Sequence, residues 1–571
     1  MATVALDTRT RLAAERLRLA RRDFLDIVGA DHVIEDPAAL RRAETATFTT
    51  TQQVPLIVCP GSCDEVQACV RVANTHRIAL YPVSTGRNWG YGSKVPAGDG
   101  NVILDLGRMN RIVELNEALG YVTVEPGVTQ QQLYDLLQKR GGTLWMDATG
   151  SSPECSLIGN TMERGFGHTP YGDHFAHVCA MEVILPSGEK IETGFGRYAH
   201  ASARPVYRWG LGPVLDGLFT QSNLGIVTRM TIWLMPAPEY FEAFFFRCDH
   251  EHGLAAALDA IRPLRMNGTL RSAVHIGNDY KVLNGIRQYP WAEMGGVTPL
   301  TPERMQTFRK QLRIGAWNGS GGLYGTRAQV AEARRLLREK LKGKVSGLQF
   351  LNERKMRVAL RFAGAYRLAT GWDLNAAIDL AKPVLGLMQG VPTPKPLASA
   401  YWRKRTAPPA SMDPDRDRCG LLWAAPVAPL EGAHAQRLSA ISHETLLKHG
   451  FEPMLSMTLV TERALTCVIT IAFDRDVPGE DQRARDCYDD LLRTLQACGY
   501  HSYRLGIQSA DEMKQEDAYG ALLRTLKSSL DPRGILAPGR YGMMPGSGPW
   551  PRRASQPGSG STGAPAGETE Q

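Results

Sequence analysis

Directly after a short apolar run, residues 83–92 read Val83-Ser84-Thr85-Gly86-Arg87-Asn88-Trp89-Gly90-Tyr91-Gly92. Gly86, Gly90 and Gly92 can take backbone conformations that other residues avoid, so successive N–H groups can turn into one concavity. Ser84, Thr85, Arg87, Asn88 and Trp89 add donors around it. Such a nest suits a diphosphate held by backbone donors without a lysine, although a loop of this kind taken alone is equally an ordinary glycine-rich turn. It has neither the Lys-Ser/Thr pair of a P-loop nor GxGxxG spacing, so neither ATP nor a Rossmann-bound dinucleotide is indicated.

Further segments of similar make-up follow. Pro126-Gly127 lies in Val124–Val128, Gly159-Asn160 and Gly165 in Ile158–Gly167, and Tyr171-Gly172 in Thr169–His174. Gly225-Ile226-Val227 lies in Gln221–Thr228, and Leu530-Asp531-Pro532-Arg533-Gly534-Ile535-Leu536-Ala537-Pro538-Gly539-Arg540-Tyr541-Gly542 stands near the C-terminus. Each sets close backbone approach beside a small polar or cationic side chain, as a desolvated diphosphate requires. In this order and spacing, from about Val54 to Gly542, the series resembles the vanillyl-alcohol oxidase and para-cresol methylhydroxylase (4-cresol dehydrogenase) family of FAD enzymes.

The resemblance implies an α+β, two-domain FAD-binding fold with an α+β cap domain, and an FAD-dependent oxidoreductase. It implies that the loop from Ser84 to Gly92 wraps the pyrophosphate, that the Gly159-Asn160 turn lies along the dinucleotide, and that Gly225-Ile226-Val227 lines the adenine end. It also implies roles for Tyr91, Tyr503 and Arg504, which match positions that clasp a phenolate oxygen in this family. An arginine and two hydroxyl donors on one oxygen favour phenolate over phenol, and an electron-rich phenolate eases hydride loss from the para benzylic carbon. The expected substrate is a para-substituted phenol or aryl alcohol, and the resemblance allows a homodimer through the cap.

Two departures from the family stand out. Relatives place an aspartate just before the Gly-Asn turn, where this chain has Gly150-Ser151-Ser152-Pro153-Glu154-Cys155; Asp147 and Glu154 are the remaining choices for a base. Relatives with a flavin tether on a cap strand use histidine or tyrosine there, whereas this chain reads Ala464-Leu465-Thr466-Cys467-Val468-Ile469. Nor does the nest loop hold a histidine, since Asn88-Trp89 occupy the place. FAD is therefore expected without a covalent bond, with a thioether to Cys467 as the alternative. Two other functions stay open: an FAD oxidoreductase for another alcohol or amine, such as a biosynthetic intermediate, with Tyr91 and Arg504 gripping a carboxylate or enol, and a flavin-free binding protein that retains the fold.

These residues need elements to position them. Leu56–Cys59, Ala79–Pro82, Val102–Leu106, Tyr121–Val124 and Ala180–Leu185 read as buried strands. Ser62 caps a helix to about His76, and Thr129 opens another to about Lys139. That pattern predicts strand-helix-strand units. Beyond Pro238, helices over Thr326–Leu341, Glu431–His449 and Gln482–Ala497 alternate with strands such as Met457–Phe473. A helix over Glu516–Leu530 follows. The divisions are an N-terminal helical segment 1–53 (helix Thr8–Val28), a FAD-binding domain 54–237, a cap 238–500, a return 501–545 and a disordered tail 546–571. The Asp413–Trp423 stretch reads as a solvated charged loop with Trp423 able to reach the cavity.

Composition narrows the class. The 571 residues carry a net charge of +8, from 66 basic and 58 acidic residues without a block of one sign, which argues against nucleic acid. Ten cysteines form no CxxC pair, so neither a structural metal nor a disulfide framework is expected. Arg21-Arg22 resembles an export signal, but Asp26, Asp31, His32, Glu35 and Asp36 break every apolar run behind it. With no membrane-length apolar stretch, a cytoplasmic protein is expected.

Overall fold

The computed structural model describes residues 2–363, 374–513 and 517–545; the tail expected to be disordered, 546–571, lies outside them, as does Glu516. Three main sheets organise the chain. In the first, Ile57–Val58, Val102–Asp105 and Leu80–Val83 run parallel, joined by the helix Cys63–His76 as the strand-helix-strand pattern requires. Ser62 Oγ accepts from Glu65 N–H at the start of that helix, and Arg77 ends it in the left-handed conformation. The N-terminal segment is more than helical. Its helix, Ala2–Val28, buries Ala20, Phe24 and Val28 against this layer, and Val33–Ile34 adds an antiparallel edge strand.

The second sheet corrects the strand-helix-strand expectation. Ile112–Asn116, Tyr121–Val124, Ile226–Trp233, Val178–Ile184 and Lys190–Glu192 are joined antiparallel throughout. Tyr121–Val124 is buried along its whole length, so alternation could not reveal its direction.

The third sheet, of eight strands, spans Tyr240 to Asp474 and forms the cap. Its core is a layer of helices, including Arg327–Leu341, Gly432–Lys448 and Glu480–Ala497, packed on one face. The expected single strand Met457–Phe473 is a hairpin of two, Met454–Leu459 and Ala464–Asp474. The polar stretch Thr461-Glu462-Arg463 makes the turn, with Thr461 Oγ1 accepting from Ala464 N–H.

The C-terminal return closes the structure. Leu80 N–H donates to Ile535 O and Ala537 N–H to Leu80 O, both at 2.7 Å, so the chain end lies on the first sheet. Asp531 shapes the turn by accepting from Ile535 and Leu536 N–H, and the fully buried Lys527 pins it through Asp531, Asn223 O and Leu536 O. An isolated buried ammonium would be costly; three acceptors offset that cost.

Candidate functional site

A cavity of about 250 Å³ opens where these layers meet. Its walls include Ser84, Thr85, Gly86, Arg87, Asn88 and Trp89 from the nest loop, with Tyr91 beyond them. Pro126, Gly159, Asn160, Gly225, Ile226, Val227, Arg504 and Arg540 join it from five separate segments. Gly90, Gly92, Gly127, Gly165, Tyr171, Gly172 and Tyr503 stand off the wall. Tyr171 instead stacks on His177 at 4.0 Å.

At one end the wall is backbone. Gly86 takes φ 70° and a Cβ there would strike the Lys94 stem, so only glycine makes this turn. Among the described residues, no protein acceptor faces the backbone N–H groups of residues 85–89. Ser156 N–H donates to Thr85 Oγ1 at 3.1 Å and Ser156 Oγ to Pro126 O at 2.6 Å, which ties the nest loop to its neighbours. A Cβ on Gly159 would fall 2.4 Å from Ser84 Oγ. Free donors in a glycine-lined cradle fit the diphosphate of FAD.

The other end is built of charge. Arg504 lies with its guanidinium carbon 4.3 Å from the Tyr91 ring centroid, donates to Asn88 Oδ1, and sits 3.4 Å from Glu163 Oε2. Glu163 also accepts from Arg540 and from Tyr541. Burial pushes the Glu163 carboxyl up, but Arg540 and Arg504 outweigh it and hold it below the ordinary value. Two buried guanidinium groups thus share one carboxylate, and one positive charge remains beside Tyr91. Burial pushes the Tyr91 phenol well above its ordinary range. Tyr503 N–H donates to Ala425 O at 3.1 Å, its ring packs on Phe166, and burial pushes its phenol up against the opposing pull of the Arg504 charge. Trp423 meets the Tyr91 ring edge-on at 5.7 Å. The indole N–H groups of Trp89 and Trp423, both on the wall, have no protein acceptor.

Neither sequence-suggested base is free. The Asp147 carboxylate accepts from His168 and Thr169 N–H and pairs with His174 at 2.6 Å. Burial pushes it up, yet His174 and these bonds hold it below its ordinary value. Glu154 is largely exposed, accepting from Ser152 Oγ. Cys467 lies in the helix-covered core of the cap and off the cavity wall, with its thiol pushed up to about 12 by burial. The Asp413–Trp423 stretch is not simply solvated: Asp413 pairs with Arg87 at 3.0 Å and Asp415 accepts from Ser93 Oγ at 2.9 Å. Sequence reasoning missed Glu163 and Tyr541. Both lie inside quoted motifs, but their partners are up to 378 residues away.

Comparisons with known proteins agree with this geometry. A FAD binding domain model matches residues 54–194 and a FAD linked oxidase C-terminal domain model matches 465–541. The chain is 46% identical over 520 residues to 1'-carboxy-chondrochloren decarboxylase of Chondromyces crocatus, covering 91% of this chain and 96% of that protein. It is 32% identical over 537 residues to the 4-cresol dehydrogenase [hydroxylating] flavoprotein subunit of Pseudomonas putida, covering 93% and 95%. The 4-ethylphenol oxidase of Gulosibacter chungangensis, solved as an isoeugenol complex, superposes with a TM-score of 0.84 at 30% identity, covering 93% of this chain and 98% of that one. No helix among the described residues is long and apolar enough to cross a membrane.

Proposed function

Because the chain belongs to the vanillyl-alcohol oxidase and para-cresol methylhydroxylase family of FAD-linked oxidoreductases, we propose that it oxidises a para-substituted phenol bound as its phenolate, with FAD as cofactor. The uncompensated positive charge of the Arg504–Glu163–Arg540 cluster beside Tyr91 carries this reading. A neutral ligand would leave that charge buried and unpaired; a phenolate oxygen neutralises it.

Each residue has a share in the chemistry. Residues 85–89 would hold the diphosphate by backbone N–H donation, with Gly159 and Asn160 along the dinucleotide. Bound FAD supplies a hydride acceptor. Arg504 holds the phenolate oxygen, with the Tyr91 and Tyr503 hydroxyls as further donors. Glu163 fixes the guanidinium from behind, and Trp423 closes one side of the ring. The negative charge of the phenolate replaces a general base, consistent with Asp147 being occupied by His174.

The 46% identity to a protein named a decarboxylase favours a second reading. If the carbon next to the benzylic one carries a carboxylate, hydride loss leaves a quinone methide. Breaking the C–COO⁻ bond then releases CO2, and its electron pair forms the side-chain double bond and restores the phenolate. Titrating the purified holoenzyme with 4-ethylphenol should perturb the flavin absorption and lower the apparent phenol pKa. A flavin spectrum blind to every simple phenol would reject the phenolate reading.

A further inference from the structure

The cap-sheet face turned away from its helices carries polar groups without protein partners. Leu455, Met457, Cys467 and Ile469 point into the helix-covered core, so Ser456, Val468 and Thr470, which alternate with them, point the other way. Thr470 is paired across the sheet with Trp423, and Val468 with Ser456, which is paired in turn with Gly277. Neither Thr470 Oγ1 nor Trp423 Nε1 has a hydrogen-bond partner. Over this same face lies Lys281 from the helix Asp279–Ile286; its Cβ and Cγ pass 3.6 Å from where a Gly277 side chain would begin.

Among the described residues, the only hydrogen bond at Lys281 beyond the helix ladder is that of its backbone N–H, and no carboxylate faces its ammonium. Desolvation pushes that ammonium down to about 8, yet the residue keeps part of its surface accessible. An unpaired ammonium held out of bulk water is costly unless an anion arrives to meet it. From Trp423, at the phenolate end, to Gly277 is three strand spacings across the sheet and two residues along it, from Thr470 to Val468, roughly 16 Å. A phenol with a short side chain and an extended lysine together cover that length.

We propose that Lys281 is a second anion-binding point of the substrate site, and that the substrate is a phenol whose para side chain ends in a carboxylate. This rests on the phenolate reading, with Arg504 at one end of the ligand and Lys281 at the other. It identifies a substrate class and a residue that selects it.

The test uses the holoenzyme and flavin-perturbation titrations with two phenols of similar length, 3-(4-hydroxyphenyl)propanoate and 4-propylphenol. The acid is expected to bind roughly tenfold more tightly than the neutral phenol, Lys281→Met to remove that preference while leaving 4-propylphenol within about twofold, and Lys281→Arg to keep it. If both phenols bind and Lys281→Met weakens them equally or not at all, the proposal is overturned and the phenolate reading stands. If the acid binds more weakly than 4-propylphenol to the unmodified enzyme, the proposal is overturned without any variant. If neither phenol perturbs the flavin, the phenolate reading fails and Lys281 loses its role with it.

Discussion

The two ends of the cavity present their donors by different means. Around residues 85–89 the donors are backbone N–H groups, fixed by turns that glycine permits. Around Arg504 they are side chains, fixed by one shared carboxylate and packed aromatic rings. A backbone donor cannot be deleted by substitution, only displaced, so that end should fail through steric intrusion. A side-chain donor can be removed outright, and its removal leaves other buried charges exposed to one another. The same task therefore has different weak points at its two ends.

The largest effect is expected where the charge cluster loses its common partner. Glu163→Gln leaves two buried guanidinium groups facing each other without a carboxylate, and removing one partner of such a buried arrangement costs about 3 to 5 kcal/mol. Chemical denaturation of the holoenzyme should register it, and an unchanged midpoint would show that water already screens the cluster. Next comes Arg504→Ala, which removes the counter-charge proposed for the phenolate. It should cost about 2 to 4 kcal/mol of transition-state stabilisation, read as kcat/KM on a para-alkyl phenol. Turnover equal to wild type would take Arg504 out of the chemistry.

At the backbone end, Gly159→Ala drives a methyl group to 2.4 Å from Ser84 Oγ. Overpacking of this kind costs about 1 to 3 kcal/mol and should appear as weaker FAD retention with little change in kcat for the flavin-loaded fraction. If kcat falls and retention does not, the two ends are not separable as the geometry suggests.

How much of this was legible in the sequence follows the same division. The backbone end was readable because Gly86, Ser84 and Thr85 are neighbours in the chain and their spacing alone constrains the turn. The first parallel sheet was readable for the same reason, as caps such as Ser62 act within three residues. The charge end was only half readable. Arg504 and Arg540 were found, but nothing local marks Glu163 as their common partner, 377 residues before Arg540. Lys281 is invisible in the same way: its isolation depends on Gly277 and on what the cap sheet leaves unpaired. The misread strand Met457–Phe473 fits too, since its turn carries no glycine or proline to punctuate it.

The smallest expected effect concerns the seam between the two regions, where His168 of the FAD-binding half stacks on His275 of the cap at 4.2 Å. Desolvation lowers the pKa of both, that of His275 well below its ordinary 6.5. A histidine depressed in the folded state takes up its proton more readily when unfolded, so its contribution is complete above about pH 6.5 and lost as pH falls towards the folded value. Each histidine then contributes a slope of up to about 1.4 kcal/mol per pH unit below 6.5. Unfolding midpoints measured between pH 5 and 8 should be flat above 6.5 and fall below it, and His275→Asn should shallow the fall. Because Asp147 lies beside His168 and is already ionised through His174, its titration belongs to a lower pH range and does not mimic the effect. A midpoint that stays level down to pH 5, or that falls as steeply in His275→Asn as in wild type, would place the acid sensitivity elsewhere and leave the seam a matter of packing alone.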